Sequence, residues 1–239
     1  MRWARGSGSG VKFLPEQRIE QAALDLLYRY ANQFGSIVSP PVPVEEIVES
    51  HLGLDLRLED LQGRKSLGCL RVRKRQVVIE ESLDPTIYPE REGRYRFTVG
   101  HEAGHWELHR HLVAPAKQSS LPMEEAEPSI ICRAGPSTDR KEWQANQFAA
   151  YLLMPRDMII QAWQARRGEL GPYVAADEIA DLSDRWCLGE DETPTVEIAR
   201  DLAREFNVSG QSMQIRLVRM GLIVTSKAQP SLFFGEHSR

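Results

Sequence analysis

His101-Glu102-Ala103-Gly104-His105 sets two histidines four residues apart, with a carboxylate next to the first. On an α-helix, residues four apart lie about 40° apart around the axis, on one face. Two imidazoles at that spacing can point at a single tetrahedral Zn²⁺. Glu102 is turned about 100° from His101. That is too far round for a third ligand, yet close enough to reach a water held by the metal. Zinc lowers the pKa of such a water toward ~7, and a neighbouring carboxylate can take its proton during attack on a carbonyl. The competing reading is a solvated helix face whose histidines bind nothing.

A metal site needs a further protein ligand. Glu142-Trp-Gln-Ala-Asn146 offers one on a second strongly helical stretch. Glu142 and Asn146 are four apart and share a face, so Glu142 can ligate while Asn146 donates a hydrogen bond into the site. Alternatively, Glu142 is an exposed carboxylate in a first helical turn, favoured there by the helix dipole.

The elements that must position these residues follow from the periodicity. Ile19, Ala22, Ala23, Leu26, Leu27, Tyr30 and Ala31 mark an amphipathic helix over 16–34. The Ser39-Pro-Pro-Val-Pro43 segment ends it and leads into a short helix, Val44 to His51, closed by Gly53. Leu54–Leu58, Leu67–Val72 and Gln76–Glu80 read as strands, with basic Arg71 to Arg75 at a hairpin turn. They predict a small sheet of about three strands. Helical patterns return over Tyr95–Leu112, Lys141–Met154 and Asp157–Arg167. Val113–Arg140, with four prolines, reads as a long irregular connection, and residues 168–192 are mixed. Thr193-Pro-Thr195 is a candidate cap for a helix over Val196–Phe206. Val208-Ser209 is then a turn and N-cap for a second helix that turns Met213, Leu217 and Met220 inward.

With 239 residues, 41% of them hydrophobic and 27% charged, the chain can bury a core and is not disordered. It has no apolar run of the ~18 residues that crossing a bilayer requires, and no apolar stretch follows the basic residues of Met1–Gly10, so neither a membrane span nor a secretory signal is expected. Three widely spaced cysteines, Cys69, Cys132 and Cys187, suit a reducing cytoplasm without a disulfide framework. A net charge of −4 argues against nucleic-acid binding by the whole surface.

Arg94-Tyr-Arg96-Phe-Thr-Val-Gly-His101-Glu-Ala-Gly-His105-Trp-Glu-Leu-His109, followed by Glu142-Trp-Gln-Ala-Asn146-Gln-Phe-Ala-Ala-Tyr-Leu-Leu-Met-Pro155, resembles the ImmA/IrrE family of metallo-endopeptidases. Gly100 stands where that family more often has Ala, and Ala103 where it has Leu. The resemblance implies that His101, His105 and Glu142 are zinc ligands and Glu102 the general base. It implies a mostly helical, zincin-like α+β fold. The domains expected are a leader at 1–14, a metallopeptidase domain at 15–192, a helix-turn-helix-like unit at 193–226 and a tail at 227–239. It also implies narrow, regulatory cleavage of a helix-turn-helix transcriptional repressor in the cytoplasm.

Other residues invite roles. His109, four beyond His105, suits a supporting part beside the metal better than a ligand's, as does Asn146. His111 reads as surface, Cys132 as a free cysteine, and Cys69 and Cys187 as core. Tyr151 and His237 can in principle stabilise an oxyanion, though nothing in the spacing selects either. Arg216, Arg219 and Lys227 give 209–227 a charge of +3, able to touch phosphates. Packing or partner docking is the preferred reading there over DNA contact. The alternative function is a DNA-binding or antitoxin-like interaction protein with a structural metal, which a closed four-ligand sphere would favour.

Overall fold

The computed structural model describes residues 13–61, 66–113, 139–187, 189 and 192–225, and the backbone of 129–133. The fold is α+β and mostly helical. The chain divides into two compact units, Met1–Ile159 with Glu205–Val208, and Ile160–Arg204 with Ser209–Arg239.

In the first unit, helix α1 (Glu16–Phe34) buries Ile19, Ala23, Leu26 and Tyr30, the stripe its periodicity marks. Helix α2 (Val44–Glu46) runs into a π-helical turn at Ile47–His51 and buries Val44, Ile47 and Val48. Gly53 follows in the left-handed region, at φ 62°. Strands β1 (Asp55–Glu59), β2 (Ser66–Arg71), β3 (Gln76–Glu80) and β4 (Ser129–Arg133) form one sheet in the order β1-β3-β2-β4. β1 lies parallel to β3, and β2 is antiparallel to both β3 and β4. The sequence reading had placed 129–133 inside an irregular connection. The Ser-Ile-Ile-Cys-Arg stretch instead pairs with β2, because its branched residues suit a pleated strand once a partner edge is present. Proline density around it had hidden that short run. β1 starts one residue later than expected and is mostly exposed, as an edge strand can be.

Helix α3 (Glu92–His109) packs on β2 and β3 on one side and on helix α4 (Arg140–Leu153) on the other; α4 in turn packs on α1. α3 is therefore enclosed, with Thr98 through Trp106 buried without a break. Arg96 ties it to α2, its Nη1 3.0 Å from Glu45 Oε2 and its Nη2 donating to the Val42 carbonyl. At its far end Trp106 lies between two guanidinium groups, Arg75 at 4.9 Å and Arg110 at 5.2 Å from the ring centroid. Arg75 also donates to the Leu52 carbonyl at 2.5 Å, pinning the β2–β3 turn.

The second unit carries most of helix α5 (Arg156–Arg167). Helix α6 (Ala176–Trp186) lies within the stretch read as mixed. Of its residues Leu182 is buried, although Ile179, Leu182 and Trp186 also lie at helical spacing. Strands β5 (Tyr173–Val174) and β6 (Ile223–Val224) form a short parallel pair. Helix α7 (Glu197–Phe206) begins one residue later than expected, and Glu178 Oε1 accepts from its first N–H. The Thr193–Thr195 stretch is held differently: Gln214 accepts from the Val196 N–H and donates to the Pro194 carbonyl. Helix α8 (Gly210–Arg219) is capped by Ser209 as expected, its Oγ accepting from Ser212 N–H. Met213 and Leu217 turn inward, but Met220 is only half-buried. Arg216 is also buried, so it does not join Arg219 on an outward basic face, and Lys227 lies outside the described residues. The exposed side of α8 shows Gln211, Ile215, Val218 and Arg219 instead.

Among the described residues, no helix is long and apolar enough to cross a membrane.

Candidate metal centre

Two glycines let α3 come close to its neighbours. A Cβ on Gly104 would sit 3.1 Å from Phe148 Cβ and 3.2 Å from Ala145 Cα, so a side chain there would force α4 away. A Cβ on Gly100 would meet Ala149 Cβ at an ordinary 3.5 Å, so there is room for Ala there. The Gly104 contact brings α4's first turns over the two histidines.

The result is a compact group. His101 Nε2 and His105 Nε2 lie 3.0 Å apart, and Glu142 Oε2 and Oε1 stand 3.4 Å from them respectively. All three residues are buried. Zinc–ligand bonds of about 2.0–2.2 Å in a tetrahedron put ligand atoms roughly 3.3–3.6 Å apart. The separations here, 3.0 Å between the two nitrogens and 3.4 Å from each nitrogen to a different oxygen of the Glu142 carboxylate, are close to that spacing. Two histidine nitrogens and one carboxylate are also a donor set that zinc takes, with a fourth position left open. The residues fit the metal. Among the described residues this is a three-ligand cluster.

The charges agree. Burial pushes the Glu142 carboxyl up, but hydrogen bonds and attraction from His101 and His105 outweigh it and bring the pKa down to about 2. Burial pushes His105 down to about 4, against the pull of Glu142. Burial also works to lower His101, yet the Glu142 hydrogen bond, the Glu102 and Glu142 charges and the Asn146 contact together raise it. The carboxylate of Glu142 thus faces both rings and favours a cation between them.

Outer contacts orient the rings. Asn146 Oδ1 is 2.8 Å from His101 Nδ1, so the asparagine reaches the histidine, but its amide oxygen accepts the hydrogen bond where the sequence suggests a donor. His105 Nδ1 meets His109 Nδ1 at 2.9 Å, and His109 Nε2 meets Gln144 Oε1 at 2.9 Å. His109 is buried, and burial lowers its pKa.

Glu102 is fully buried on the sheet-facing side of α3. It is held against β2, where Gly68 has no side chain: a Cβ there would collide with Glu102 Oε1 and lie 2.8 Å from Thr98 Cγ2. Sequence reasoning missed both Gly68 and Gln144. An isolated glycine inside a strand pattern is a known sign of close approach and would have found Gly68. Gln144 sits two residues from Glu142, off the shared face that helical spacing marks, so no periodic signal pointed to it.

The remaining candidates lie elsewhere. His111 is exposed, as expected. Tyr151 is buried and its hydroxyl donates to Glu16 at 3.3 Å. Cys69 is buried, but Cys187 is exposed, not core: it ends α6 in the left-handed region, at φ 50°. Cys132 falls on β4, of which only the backbone is described, and His237 lies outside the described residues.

A family model for the IrrE N-terminal-like domain, Peptidase_M78, matches residues 50–218, a stretch that contains all of these site residues. The chain belongs to the IrrE N-terminal-like domain family. That Peptidase_M78 family is one of metallopeptidases, and its match agrees with the resemblance carried by the two sequence blocks. No curated protein matches the chain. Among solved structures it is similar to a Mycobacterium tuberculosis transcriptional regulator, at 14% identity and a TM-score of 0.44, with 85% of this chain and 52% of that chain covered. The chain thus spans about half the length of that regulator.

Proposed function

We propose that this member of the IrrE N-terminal-like domain family is a zinc-dependent endopeptidase with Glu102 as its general base. The observation that carries the reading is the buried triangle of His101 Nε2, His105 Nε2 and the Glu142 carboxylate, on the same helix as Glu102. His101, His105 and Glu142 would hold the metal, which when bound supplies Lewis-acid polarisation of a carbonyl and acidification of water. Glu102 takes a proton from the attacking water as its oxygen bonds to the scissile carbon. The carboxyl then returns that proton to the leaving amine as the C–N bond breaks. Burial against β2 keeps bulk water from competing for the Glu102 proton. By the family resemblance, the substrate is a helix-turn-helix transcriptional repressor cut at a specific bond, in a reducing cytoplasm. The exposed Ile215 and Val218 of α8 suit contact with protein better than with phosphates.

Glu102→Gln tests the reading, because it keeps size and removes the base. Wild type and variant are incubated with a co-encoded helix-turn-helix repressor, or a panel of such repressors, and fragments are followed by mass spectrometry. The variant should keep its zinc and lose cleavage by about 10²–10⁴-fold. Equal cleavage by the two proteins would refute the mechanism.

A further inference from the structure

The two histidines that face Glu142 are steadied by different devices. His101 rests on an amide, Asn146, at 2.8 Å. His105 rests on a second imidazole, His109, which ends on Gln144. His105, His109 and Gln144 are all buried, at 0%, 1% and 0% exposure, so bulk water does not compete for these contacts.

The far end of the chain decides the direction of every bond in it. Gln144 presents Oε1 to His109 Nε2, and a carbonyl oxygen only accepts. His109 Nε2 therefore carries the proton. A neutral imidazole has one donor and one acceptor nitrogen, so His109 Nδ1 accepts. His105 Nδ1 is then the donor. That leaves His105 Nε2 as a lone pair, aimed at the point where His101 Nε2 and Glu142 converge. Were Gln144 to present its NH₂ group instead, each arrow would reverse, and His105 would aim an N–H at that point and could not ligate.

We infer that Gln144 and His109 form a relay that sets the tautomer of His105, making both of them positioning residues for the metal. The inference rests on reading His105 as a ligand. A neutral imidazole suits this place better than the carboxylate that often backs a metal-bound histidine. Glu102 and Glu142 already bring two buried carboxyl groups to the site, and a third would add a further charge to desolvate. Gln144 contributes direction without charge.

The test has two independent readouts. Long-range ¹⁵N–¹H correlation NMR of the wild-type protein, freed of metal by a chelator, should show His105 protonated at Nδ1 and His109 at Nε2. A proton on His109 Nδ1 would overturn the relay. The second readout is Zn²⁺ affinity, by competition with a chromogenic chelator. His109→Leu keeps bulk and removes the acceptor, and should weaken Zn²⁺ binding about 10–100-fold. His109→Asn places Oδ1 where Nδ1 stood and should bind within a few-fold of wild type. At the far end Gln144→Glu, an acceptor only, should retain affinity, whereas Gln144→Leu should lose it. Equal losses for Leu and Asn at 109, or for Leu and Glu at 144, would mean packing alone and overturn the proposal. The ligand reading fails separately if His105→Ala leaves Zn²⁺ binding unchanged, while the tautomer measurement still judges the relay.

Discussion

α3 and α7 are both helices with mixed apolar and charged sequences, yet they are buried in different ways. α7 buries Ala199, Leu202, Ala203 and Phe206 along one stripe and leaves Glu197 and Arg204 outside. α3 is enclosed on all sides from Thr98 to Trp106, and that span contains His101, Glu102 and His105. On a striped helix, polar residues are cheap because they stay in water. On an enclosed helix each buried ionisable group costs several kcal/mol unless a partner offsets it. The partners are therefore informative: Glu142, Asn146 and the His109–Gln144 pair on one side of α3, and the space left by Gly68 on the other. Buried polar groups on α3 mark chemistry, whereas the stripe on α7 marks packing alone.

The strongest way to break this contrast is to remove the polar centre of α3. His101→Ala combined with His105→Ala should take the zinc content from about one per chain to none and abolish cleavage, as elemental analysis of the purified protein will show. Unchanged zinc would place the site elsewhere. The wild-type titration also carries a sign. His101 keeps its proton above the ordinary histidine range, and a metal must displace it. Apparent Zn²⁺ affinity should therefore rise about tenfold per pH unit below the raised His101 pKa and level off above it. Affinity independent of pH between 5 and 7 would contradict a raised His101 pKa.

The Glu102 flank of α3 should respond less. Gly68→Ala drives a methyl group into the Glu102 carboxylate and toward Thr98. Zinc should be retained while cleavage falls by about 10²-fold, the effect of displacing a reacting group by roughly 1 Å. Full activity in this variant would show that Glu102 has room the structure does not give it.

The smallest effects separate Gly100 from Gly104. Gly104→Ala forces Phe148 and the Ala145 backbone aside and should lower stability by about 1–3 kcal/mol. Gly100→Ala meets no such obstacle and should raise stability by up to about 1 kcal/mol through helix propensity. Thermal unfolding of both variants decides it. Equal and opposite outcomes to these would mean that α3 and α4 are not held as closely as their glycine contact implies.

Much of the site was legible because it is local. The spacing His101–His105 and Glu142–Asn146 follows from 3.6 residues per turn, which any helix imposes. The stripes of α1 and α7 follow from the same period. The sheet was less legible. Gln76–Glu80 matched its strand, but Ser129–Arg133 had too few residues to announce a strand before β2 offered it an edge. α6 keeps Ile179, Leu182 and Trp186 at helical spacing, a stripe masked by the mixed residues on either side of it.

The sequence alone determined which residue types stand one helical turn apart, and so which groups can meet a single ion from one helix. Only the tertiary structure decided what lies across from them. Glu142 is separated from His105 by 36 positions, and it reaches both imidazoles because Gly104 lets α4 settle on α3. Gln144 meets His109 through the same crossing, at a spacing no helical period selects. Gly68 makes room for Glu102 only because β2 runs beneath α3. Contacts within an element are set by chain geometry. Those between elements depend on how side-chain volumes fill the space between them, and a linear pattern does not encode that directly.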